Sequence, residues 1–345
     1  MARDPLAGKL PVTVITGFLG SGKTTLLKHL LTHPGMDRAA LVINELGEVG
    51  IDHDLLQVSS EQMTLLSNGC LCCTVRTDLQ ETLRELFAQR RAGAVIDFDR
   101  VFVETTGLAD PAPVLQTLAT DTLLSDYYRL DCVATLVDAV NGMTQLDTQP
   151  EAVKQAAVAD RLLLTKTDLA APDAVEALQA RLRALNPHAL FIIATHGQVD
   201  PALLTDVGLR NARPDAARLA RWLGETGEGG GYLGQRLAPG VKHDPAIKSF
   251  ALVFDRPFAW ETFSAALDLV SRLRGPDLLR VKGLVNIAGE RGPVVVQAVQ
   301  HIFHPTVTLE AWPSDDRRSR LVFITRNIPR ETVEQLFAAV GALNA

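Results

Sequence analysis

The chain has 345 residues, of which 47% are hydrophobic and 21% charged, and its formal net charge is −6 at pH 7. This length allows one large core or two smaller domains. The acidic balance argues against a broad basic surface for nucleic acid, and no apolar run approaches the roughly 18–20 residues that span a bilayer. Because Asp4 also interrupts any signal-peptide pattern, we expect a cytoplasmic protein.

Short apolar segments alternate with helical patterns over the first two-thirds of the chain. This alternation predicts an α/β fold with a mainly parallel sheet that is covered on both faces. The expected strands are rich in Val, Ile and Leu: Leu10–Thr16, Ala39–Asn44, Arg100–Glu104, Cys132–Val137, Leu162–Thr165 and Leu190–Ala194. The expected helices between them are Thr24–Leu31, Asp78–Gln89 and Asp173–Leu185.

The glycine-rich stretch Glu225–Gly234 marks a change in organisation. It predicts a flexible linker over 224–245 between a larger domain, 1–223, and a smaller domain, 246–345. Strands that follow one another without intervening helices predict an α+β domain with an antiparallel sheet after the linker. Its expected elements are a strand at Ile247–Phe254, a helix at Trp260–Arg272, several strands between Leu279 and Ile324, and a helix from Arg330.

Residues Gly17–Thr24 match the phosphate-loop pattern G-x-x-x-x-G-K-[ST], after an expected strand and at the start of an expected helix. Glycines allow the loop N–H groups to face nucleotide phosphates, together with the helix N-terminus. Lys23 is expected to reach the β- and γ-phosphates, and the Thr24 hydroxyl to bind Mg²⁺. The predicted phosphate contacts are Gly17, Gly20, Ser21, Gly22, Lys23, Thr24 and Thr25.

The segment Thr165-Lys166-Thr167-Asp168 is similar to the guanine-reading motif [NT]-K-x-D. The Asp168 carboxylate can accept hydrogen bonds from the guanine N1–H and exocyclic amine, and adenine has neither donor. Thr165 stands where Asn is commoner. The motif therefore favours GTP over ATP, with Thr165, Lys166 and Asp168 as nucleotide contacts.

Two further segments contain candidate residues for GTP hydrolysis. Glu104 follows a buried strand and is expected to hold Mg²⁺ directly or through water, although it could instead cap the next helix; the Gly107 N–H is expected near the γ-phosphate. The Gly- and carboxylate-rich segment Asn44–Asp52 is typical of a mobile switch. In it Glu45 could orient the attacking water and Asp52 could join the Mg²⁺ site; a plain acidic loop is the alternative.

Three of the four cysteines lie within Gly69–Cys73, after an expected strand at Met63–Leu66 and before a helix. Thiolates at Cys70, Cys72 and Cys73 favour Zn²⁺, Cu(I) or Co²⁺ over Mg²⁺. Closed structural zinc sites use four protein ligands, whereas here the fourth ligand stays open among water, Glu45, Glu48, His53 and a partner protein. Packed or redox-active thiols are the alternative. The fourth cysteine, Cys132, is expected to be a buried structural thiol.

The switch, the thiolates and the Mg²⁺ carboxylate follow one another along the chain, and carboxyl ends of parallel strands line one crevice. We therefore expect γ-phosphate binding to move a ligand relative to Cys70–Cys73. The remaining histidines are weaker metal candidates: His301 and His304 are expected to pack near the surface, and His243 is isolated in the linker.

Together these segments resemble the CobW-like GTPases, a family of P-loop GTP-binding metallochaperones. Arg280–Leu284 and Leu321–Asn327 are similar to that family's C-terminal domain, so the resemblance covers nearly the whole chain. It implies a P-loop GTPase domain plus a smaller α/β domain, slow GTP hydrolysis, and delivery of a transition metal to a client. The chain departs from the family pattern at Thr165 and in its linker, which has no histidine-rich tract.

The leading hypothesis is a GTPase that binds Zn²⁺, or Co²⁺, at Cys70, Cys72 and Cys73 when GTP–Mg²⁺ is present and delivers it to a client metalloprotein. Its expected catalytic residues are Lys23, Glu45, Glu104 and Gly107. A GTP-regulated scaffold with a permanent structural zinc is one alternative, and a small-molecule kinase is a weaker one. A homodimer is possible, and no nucleic-acid or membrane partner is expected.

Overall fold

A computed structural model describes Leu6 and residues 8–44, 63–65, 71–75, 79–209, 219, 222, 246–300, 302–304, 306–312 and 314–343. The chain divides into two compact units. We call them the parallel-sheet unit (Gly8–Leu178 and Leu190–Gly208) and the antiparallel-sheet unit (Met1–Ala7, Gln179–Ala189 and Leu209–Ala345). The predicted linker 224–245 lies outside the described residues.

The described strands of the parallel-sheet unit form one sheet in the order β3-β4-β2-β5-β1-β6-β7-β8. Neighbouring strands are parallel, except that β3 runs antiparallel to β4 at the edge. This arrangement confirms the predicted mainly parallel sheet. The strands are β1 (Leu10–Gly17), β2 (Ala39–Asn44), β3 (Met63–Leu65), β4 (Leu71–Val75), β5 (Arg100–Thr105), β6 (Tyr128–Asp138), β7 (Arg161–Thr165) and β8 (Leu190–Ala194).

Helices return the chain between the parallel strands, as crossover connections require. They are α1 (Lys23–Thr32), α2 (Leu79–Ala92), α3 (Ala112–Thr120), α4 (Thr122–Tyr127), α5 (Gly142–Thr148), α6 (Pro150–Val158) and α7 (Pro172–Leu185). The prediction ended α2 at Gln89, but the helix continues through Arg90 and Arg91. Cations in the last turn suit the negative end of the helix dipole, which favours this longer helix.

Strands β1, β2, β5, β6 and β7 are largely buried because apolar residues occupy most of their positions. One cluster joins Ile15, Leu41, Phe102 and Leu163 of the sheet with Leu26 of α1. Full burial of a side chain such as Phe102 contributes about 1.5–3 kcal/mol. Cys132 belongs to the same cluster and is fully buried, which confirms its expected packing.

One strand of this unit, β4, was absent from the predicted strands because the cysteine motif was interpreted only through its ligand chemistry. Its backbone runs parallel to β2, with Cys72 opposite Leu41 and Cys73 opposite Val42. The strand closes with Thr74 and Val75, and β-branched residues favour extended backbone. Two of the three clustered cysteines therefore lie within a strand of the sheet.

The antiparallel-sheet unit confirms the predicted α+β class. Its described strands lie in the order β12-β11-β10-β14-β9, and β13 also pairs with β11. Helices and strands of this unit share one apolar cluster, which includes Val281, Phe323, Phe263 and Phe337. The elements are β9 (Ile247–Phe254), α8 (Trp260–Arg274), β10 (Leu278–Val285), β11 (Val294–Val299), β12 (Ile302–Phe303), β13 (Val307–Thr308), β14 (Ser319–Arg326) and α9 (Arg330–Leu343).

Among the described residues, no helix combines the length and the apolar character that crossing a membrane requires.

Candidate functional site

The loop between β1 and α1 has the backbone that the phosphate-loop motif predicts. Gly17, Gly20 and Gly22 have positive φ angles of 144°, 71° and 95°, a region that glycine enters without the steric cost of a Cβ atom. Gly22 directly precedes α1, which begins at Lys23. The loop therefore leads into a helix N-terminus, where backbone N–H groups are oriented toward an anion.

Gly17 is required by space as well as by backbone angle. A Cβ atom there would lie 2.5 Å from the Leu136 carbonyl oxygen and 2.8 Å from the Ser21 hydroxyl. Ser21 is 1% exposed, and its Oγ has no hydrogen-bond partner within the described part of the chain. A buried hydroxyl without a partner costs free energy, so this atom fits a loop that gains a polar ligand such as phosphate.

Lys23 lies beside the loop rather than in solvent. Its Nζ donates to the carbonyl oxygen of Gly17 at 2.8 Å and has that of Phe18 at 3.3 Å. Burial lowers the pKa of Lys23, and the nearby Glu104 carboxylate opposes that shift. The ammonium group is therefore held at the phosphate loop, with a carboxylate as its electrostatic neighbour.

The carboxyl end of β5 lies next to this loop. Glu104 pairs in register with Ile15 of β1 and is 4% exposed, and the Thr105 hydroxyl donates to Thr16 Oγ1 at 2.8 Å. A Cβ atom on Gly107 would lie 2.7 Å from the backbone nitrogen of Leu19. Only glycine allows the segment after β5 to approach the phosphate loop this closely.

These groups are compatible with a nucleotide-bound Mg²⁺ ion. Mg²⁺ prefers oxygen ligands and is commonly held by one or two protein oxygens plus phosphates. The Thr24 hydroxyl at the start of α1 and the buried Glu104 carboxylate are such oxygens. The Ser21 hydroxyl in the same loop, which has no partner among the described residues, is consistent with a phosphate ligand there.

The guanine-type motif lies at the end of β7 and is joined to the phosphate loop by a hydrogen bond. The Thr165 hydroxyl donates to the Ser21 carbonyl oxygen at 2.8 Å, and the Val137 carbonyl lies 3.3 Å from the same hydroxyl. Thr165 is 5% exposed. Threonine in place of the commoner Asn therefore still links the two segments.

Lys166 is fixed by a residue that the sequence analysis missed, Asp138. Asp138 ends β6, pairs with Thr165 and accepts from Lys166 Nζ at 2.8 Å. Burial alone would raise the pKa of Asp138, but hydrogen bonds from Lys166, Asn141 and Val140 outweigh it and hold the pKa below its usual value. Its position at the carboxyl end of a buried strand was the available signal.

Asp168 is partly accessible, with 35% of its side chain exposed, and its Oδ2 lies 4.0 Å from His196 Nε2. His196 follows β8 and was also missed. The next residue, Gly197, has φ 76°, and a Cβ atom there would lie 2.8 Å from the Thr25 carbonyl group. The loop after β8 thus adjoins both the guanine-type motif and the start of α1.

The structure brings together the predicted nucleotide contacts from Gly17 to Thr25, Glu104, Gly107, Thr165, Lys166 and Asp168 at the carboxyl ends of neighbouring strands. Several predicted residues lie outside the described residues: Glu45, Glu48, Asp52, His53, Cys70, His243 and His301. Only the backbones of Cys72 and Cys73 are described, in β4. Among the described side chains, no three His, Cys, Asp or Glu residues cluster as a metal site.

Two family models match the chain. The CobW/HypB/UreG nucleotide-binding domain matches residues 11–193, and the cobalamin synthesis protein CobW C-terminal domain matches residues 247–341. The predicted domain limits at 223 and 246 stay a prediction.

Several known proteins are similar in sequence to this chain over most of its length. The zinc chaperone YjiA of Escherichia coli K12 is 33% identical over 331 residues, covering 96% of this chain and 98% of the relative. The zinc-regulated GTPase metalloprotein activator 1 of Dictyostelium discoideum is 28% identical, covering 94% of this chain and 78% of the relative. The crystal structure of Zn(II)-bound YjiA GTPase from E. coli superimposes with a TM-score of 0.71 at 32% identity, covering 96% and 99% of the two chains.

The geometry and the family models lead to the same assignment. The phosphate loop has the buried Glu104 beside it and is joined to the guanine-type motif, and both domain models match the chain. The chain has the P-loop GTPase fold and belongs to the CobW/HypB/UreG family, in the branch that carries a CobW C-terminal domain.

Proposed function

We propose that this protein is a GTP-hydrolysing metallochaperone. In this proposal it binds a transition metal at the C-x-C-C motif in a nucleotide-dependent way and delivers it to a client metalloprotein. The hydrogen bond from Thr165 to the Ser21 carbonyl is the single observation that carries the GTP assignment, because it couples the guanine-type motif to the phosphate loop. The metal assignment is supported by the cysteine motif and by relatives named zinc chaperones.

The nucleotide contacts follow from the chemistry of each group. N–H groups of Gly20, Gly22 and the start of α1 bind the phosphates, and Lys23 moves from the loop carbonyls to the more strongly charged β- and γ-phosphates. Asp168 reads the guanine edge, with Lys166 positioned by Asp138. Thr25 completes the helix N-terminus beside Gly197.

Hydrolysis needs stabilisation of the charge that spreads over the γ-phosphate oxygens. Lys23 and the Gly107 N–H supply it, and Glu104, Thr24 and Asp52 would hold Mg²⁺, which neutralises part of the same charge. Glu45 orients the attacking water in this proposal. All these groups except Glu45 and Asp52 lie on described segments at one sheet edge.

The transported metal is the substrate of the chaperone, and thiolates of Cys70, Cys72 and Cys73 are its proposed ligands. Their softness favours Zn²⁺, with Co²⁺ as the second choice. Three thiolates leave the tetrahedral shell of zinc incomplete, so an additional ligand is needed. Supplying that ligand from the segment that contains Glu45 and Glu48 would connect metal binding to the nucleotide.

The sheet offers a short route for this coupling. Strand β2 pairs with β5 on one side and β4 on the other, with Ile43 opposite both Glu104 and Thr74. Cys73 is the neighbour of Thr74 in β4, so its backbone lies about two strand spacings, roughly 10 Å, from the backbone of β5. The proposed switch begins where β2 ends.

A paired substitution tests the metal assignment. Cys72→Ala should lower zinc affinity at least tenfold while leaving the Kd for GTP within twofold, as measured by competitive zinc titration and nucleotide binding. Cys132→Ala is the matched control, because Cys132 lies in the core on β6 and should leave zinc affinity unchanged. Equal zinc affinity for both variants would remove the cysteine motif from the proposal.

The alternative of a GTP-regulated scaffold with a permanent structural zinc makes a different prediction. The name of the D. discoideum relative, a metalloprotein activator, is compatible with this alternative. Dialysis against a mild chelator distinguishes the two: exchangeable zinc leaves the GDP-bound protein, whereas structural zinc stays regardless of nucleotide. Phosphate transfer from GTP to an acceptor other than water would instead support a small-molecule kinase.

A further inference from the structure

Helix α6 holds the segment after β5 through one buried side chain, Gln155. Gln155 is 0% exposed, and its Nε2 donates to the Gly107 carbonyl oxygen at 3.2 Å and to the Ala109 carbonyl oxygen at 3.0 Å. Both donors of one amide group are therefore used on the segment that contains Gly107. We call Gly107–Asp110 the clamped segment.

The helix that presents Gln155 is itself firmly placed. The Gln155 carbonyl oxygen accepts from the Thr135 hydroxyl at 2.7 Å, which ties α6 to β6 in the centre of the sheet. The next residue toward the helix start, Lys154, pairs with Asp110 at 2.9 Å between Nζ and Oδ2. Two consecutive residues of α6 thus hold both ends of the clamped segment.

The nitrogen and the oxygen of the Gln155 amide differ in their hydrogen bonding. Its Oε1 is buried and has no hydrogen-bond partner among the described residues. An unpaired buried acceptor costs free energy. The two hydrogen bonds that the glutamine donates therefore have to compensate for that cost. Those bonds fix the Gly107 carbonyl, and with it the orientation of the backbone around Gly107.

We propose that Gln155 is a positioning residue for GTP hydrolysis, holding the clamped segment so that the Gly107 N–H faces the γ-phosphate. This inference rests on the proposed GTPase function. Gln155 touches neither nucleotide nor water in the reaction; it acts through the backbone of Gly107. Small misplacements of groups that contact a reacting phosphate cost large factors in rate, whereas GDP carries no γ-phosphate and is bound without this contact.

The first test is Gln155→Met, which keeps the volume and removes both donors. The kcat for GTP should fall by about tenfold to a hundredfold, with the KM for GTP and the Kd for GDP within threefold of wild type. Gln116→Met on the exposed side of α3 makes the same chemical change away from the segment. It should leave kcat unchanged.

The second test uses Gln155→Glu, because a carboxylate cannot donate a hydrogen bond but a carboxylic acid donates one. Burial raises the pKa of a carboxyl group, so protonation should occur within an accessible pH range. The ratio of variant to wild-type kcat should rise at least threefold between pH 8 and pH 5.5, with thermal melts at each pH confirming a folded protein.

The outcomes separate this inference from the proposed function. Absence of GTP hydrolysis by the wild-type protein would overturn the proposed function and the positioning role together. Hydrolysis by wild type with a Gln155→Met kcat within twofold would overturn the positioning role alone. Equal losses of GDP affinity and kcat would indicate a structural role and overturn it as well. If Gln155→Met does not fold, the pH ratio of Gln155→Glu decides, and a flat ratio contradicts the inference.

Discussion

Two pairs of buried charged side chains, one pair in each unit, lie at different places along their strands. In the parallel-sheet unit, Glu104 and Asp138 lie at the carboxyl ends of β5 and β6. In the antiparallel-sheet unit, Arg280 and Lys282 lie in the middle of β10 and are 5% and 8% exposed. Burying a charge costs free energy in either place, so interactions of the buried charge must compensate for that cost in each unit.

The difference indicates what each set of charges does. Ends of parallel strands meet at one edge, where side chains from distant sequence positions can share a ligand. Lys282 instead lies with its Nζ 4.4 Å from the centroid of the Trp222 ring, a cation–π contact inside the unit. We infer that strand-end charges serve the nucleotide and mid-strand charges serve the fold. Substitutions at both kinds of position test that separation, and their effects on GTP binding should decrease in the order given below.

The largest effect is expected at Gly17. Gly17→Ala adds a Cβ atom 2.5 Å from the Leu136 carbonyl, whereas Gly20→Ala adds one with nothing within 4 Å, and both glycines have positive φ. GTP binding should weaken at least a hundredfold in Gly17→Ala, because the loop must move, and less than tenfold in Gly20→Ala, where backbone strain costs about 1 kcal/mol. Calorimetric GTP titration measures both. Similar losses would show that crowding at Gly17 is not what shapes the loop.

A smaller effect is expected at Thr165. Thr165→Val keeps the shape and removes the hydrogen bond to the Ser21 carbonyl. The Kd for GTP should rise about five- to tenfold, corresponding to about 1 kcal/mol for one hydrogen bond. Thr167→Val, in the same motif, is the control and should change the Kd less than twofold. Unchanged GTP affinity in Thr165→Val would contradict the link between guanine motif and phosphate loop.

In the antiparallel-sheet unit the effect should fall on stability alone. Lys282→Met removes the cation above Trp222 and should lower the free energy of unfolding by about 1 kcal/mol, with kcat and KM for GTP unchanged. Lys248→Met, at an exposed position of β9, should leave both stability and kinetics unchanged. A GTPase defect in Lys282→Met would break the proposed separation between the two kinds of buried charge.

The last prediction concerns the pH dependence of stability and His188 of the antiparallel-sheet unit. Burial, with Lys282 and Arg280 adding repulsion, lowers the pKa of His188 to about 4. The unfolded chain, with an ordinary pKa near 6.5, therefore binds more protons than the folded chain between these values. The stability that depends on a neutral His188 is fully present above about pH 6.5, and it is lost as the pH drops toward 4.

Chemical denaturation at pH 7 and pH 5 measures this loss. His188→Gln should lose less unfolding free energy than wild type across that interval, because it has no imidazole to protonate. Identical losses in the two proteins would show that His188 does not cause the pH dependence.

Much of the fold followed from local sequence. The runs Leu10–Thr16 and Leu162–Thr165 are apolar without alternation, which is typical of strands buried on both faces, and both are strands in the structure. The phosphate loop was predictable because its glycines and Lys23 are needed within eight consecutive residues. Local chemistry of this kind leaves a readable pattern.

The missed residues depend on distant partners. Asp138 accepts a hydrogen bond from Lys166, 28 positions away, and Gln155 donates one to Gly107, 48 positions away. Neither lies in a spaced motif, and a glutamine in a helix carries no chemical signal of its own. Strand β4 was missed for another reason: a cysteine-rich segment suggests ligands before it suggests backbone pairing.

Control of metal binding by the nucleotide state can be measured by competitive titration with Zn²⁺ and Co²⁺. The measurement compares the full-length protein bound to a non-hydrolysable GTP analogue with Mg²⁺ and the same protein bound to GDP. Metal binding should be at least tenfold tighter in the GTP-analogue state, and this difference should be lost in Cys72→Ala. Equal metal affinity in the two nucleotide states would contradict it.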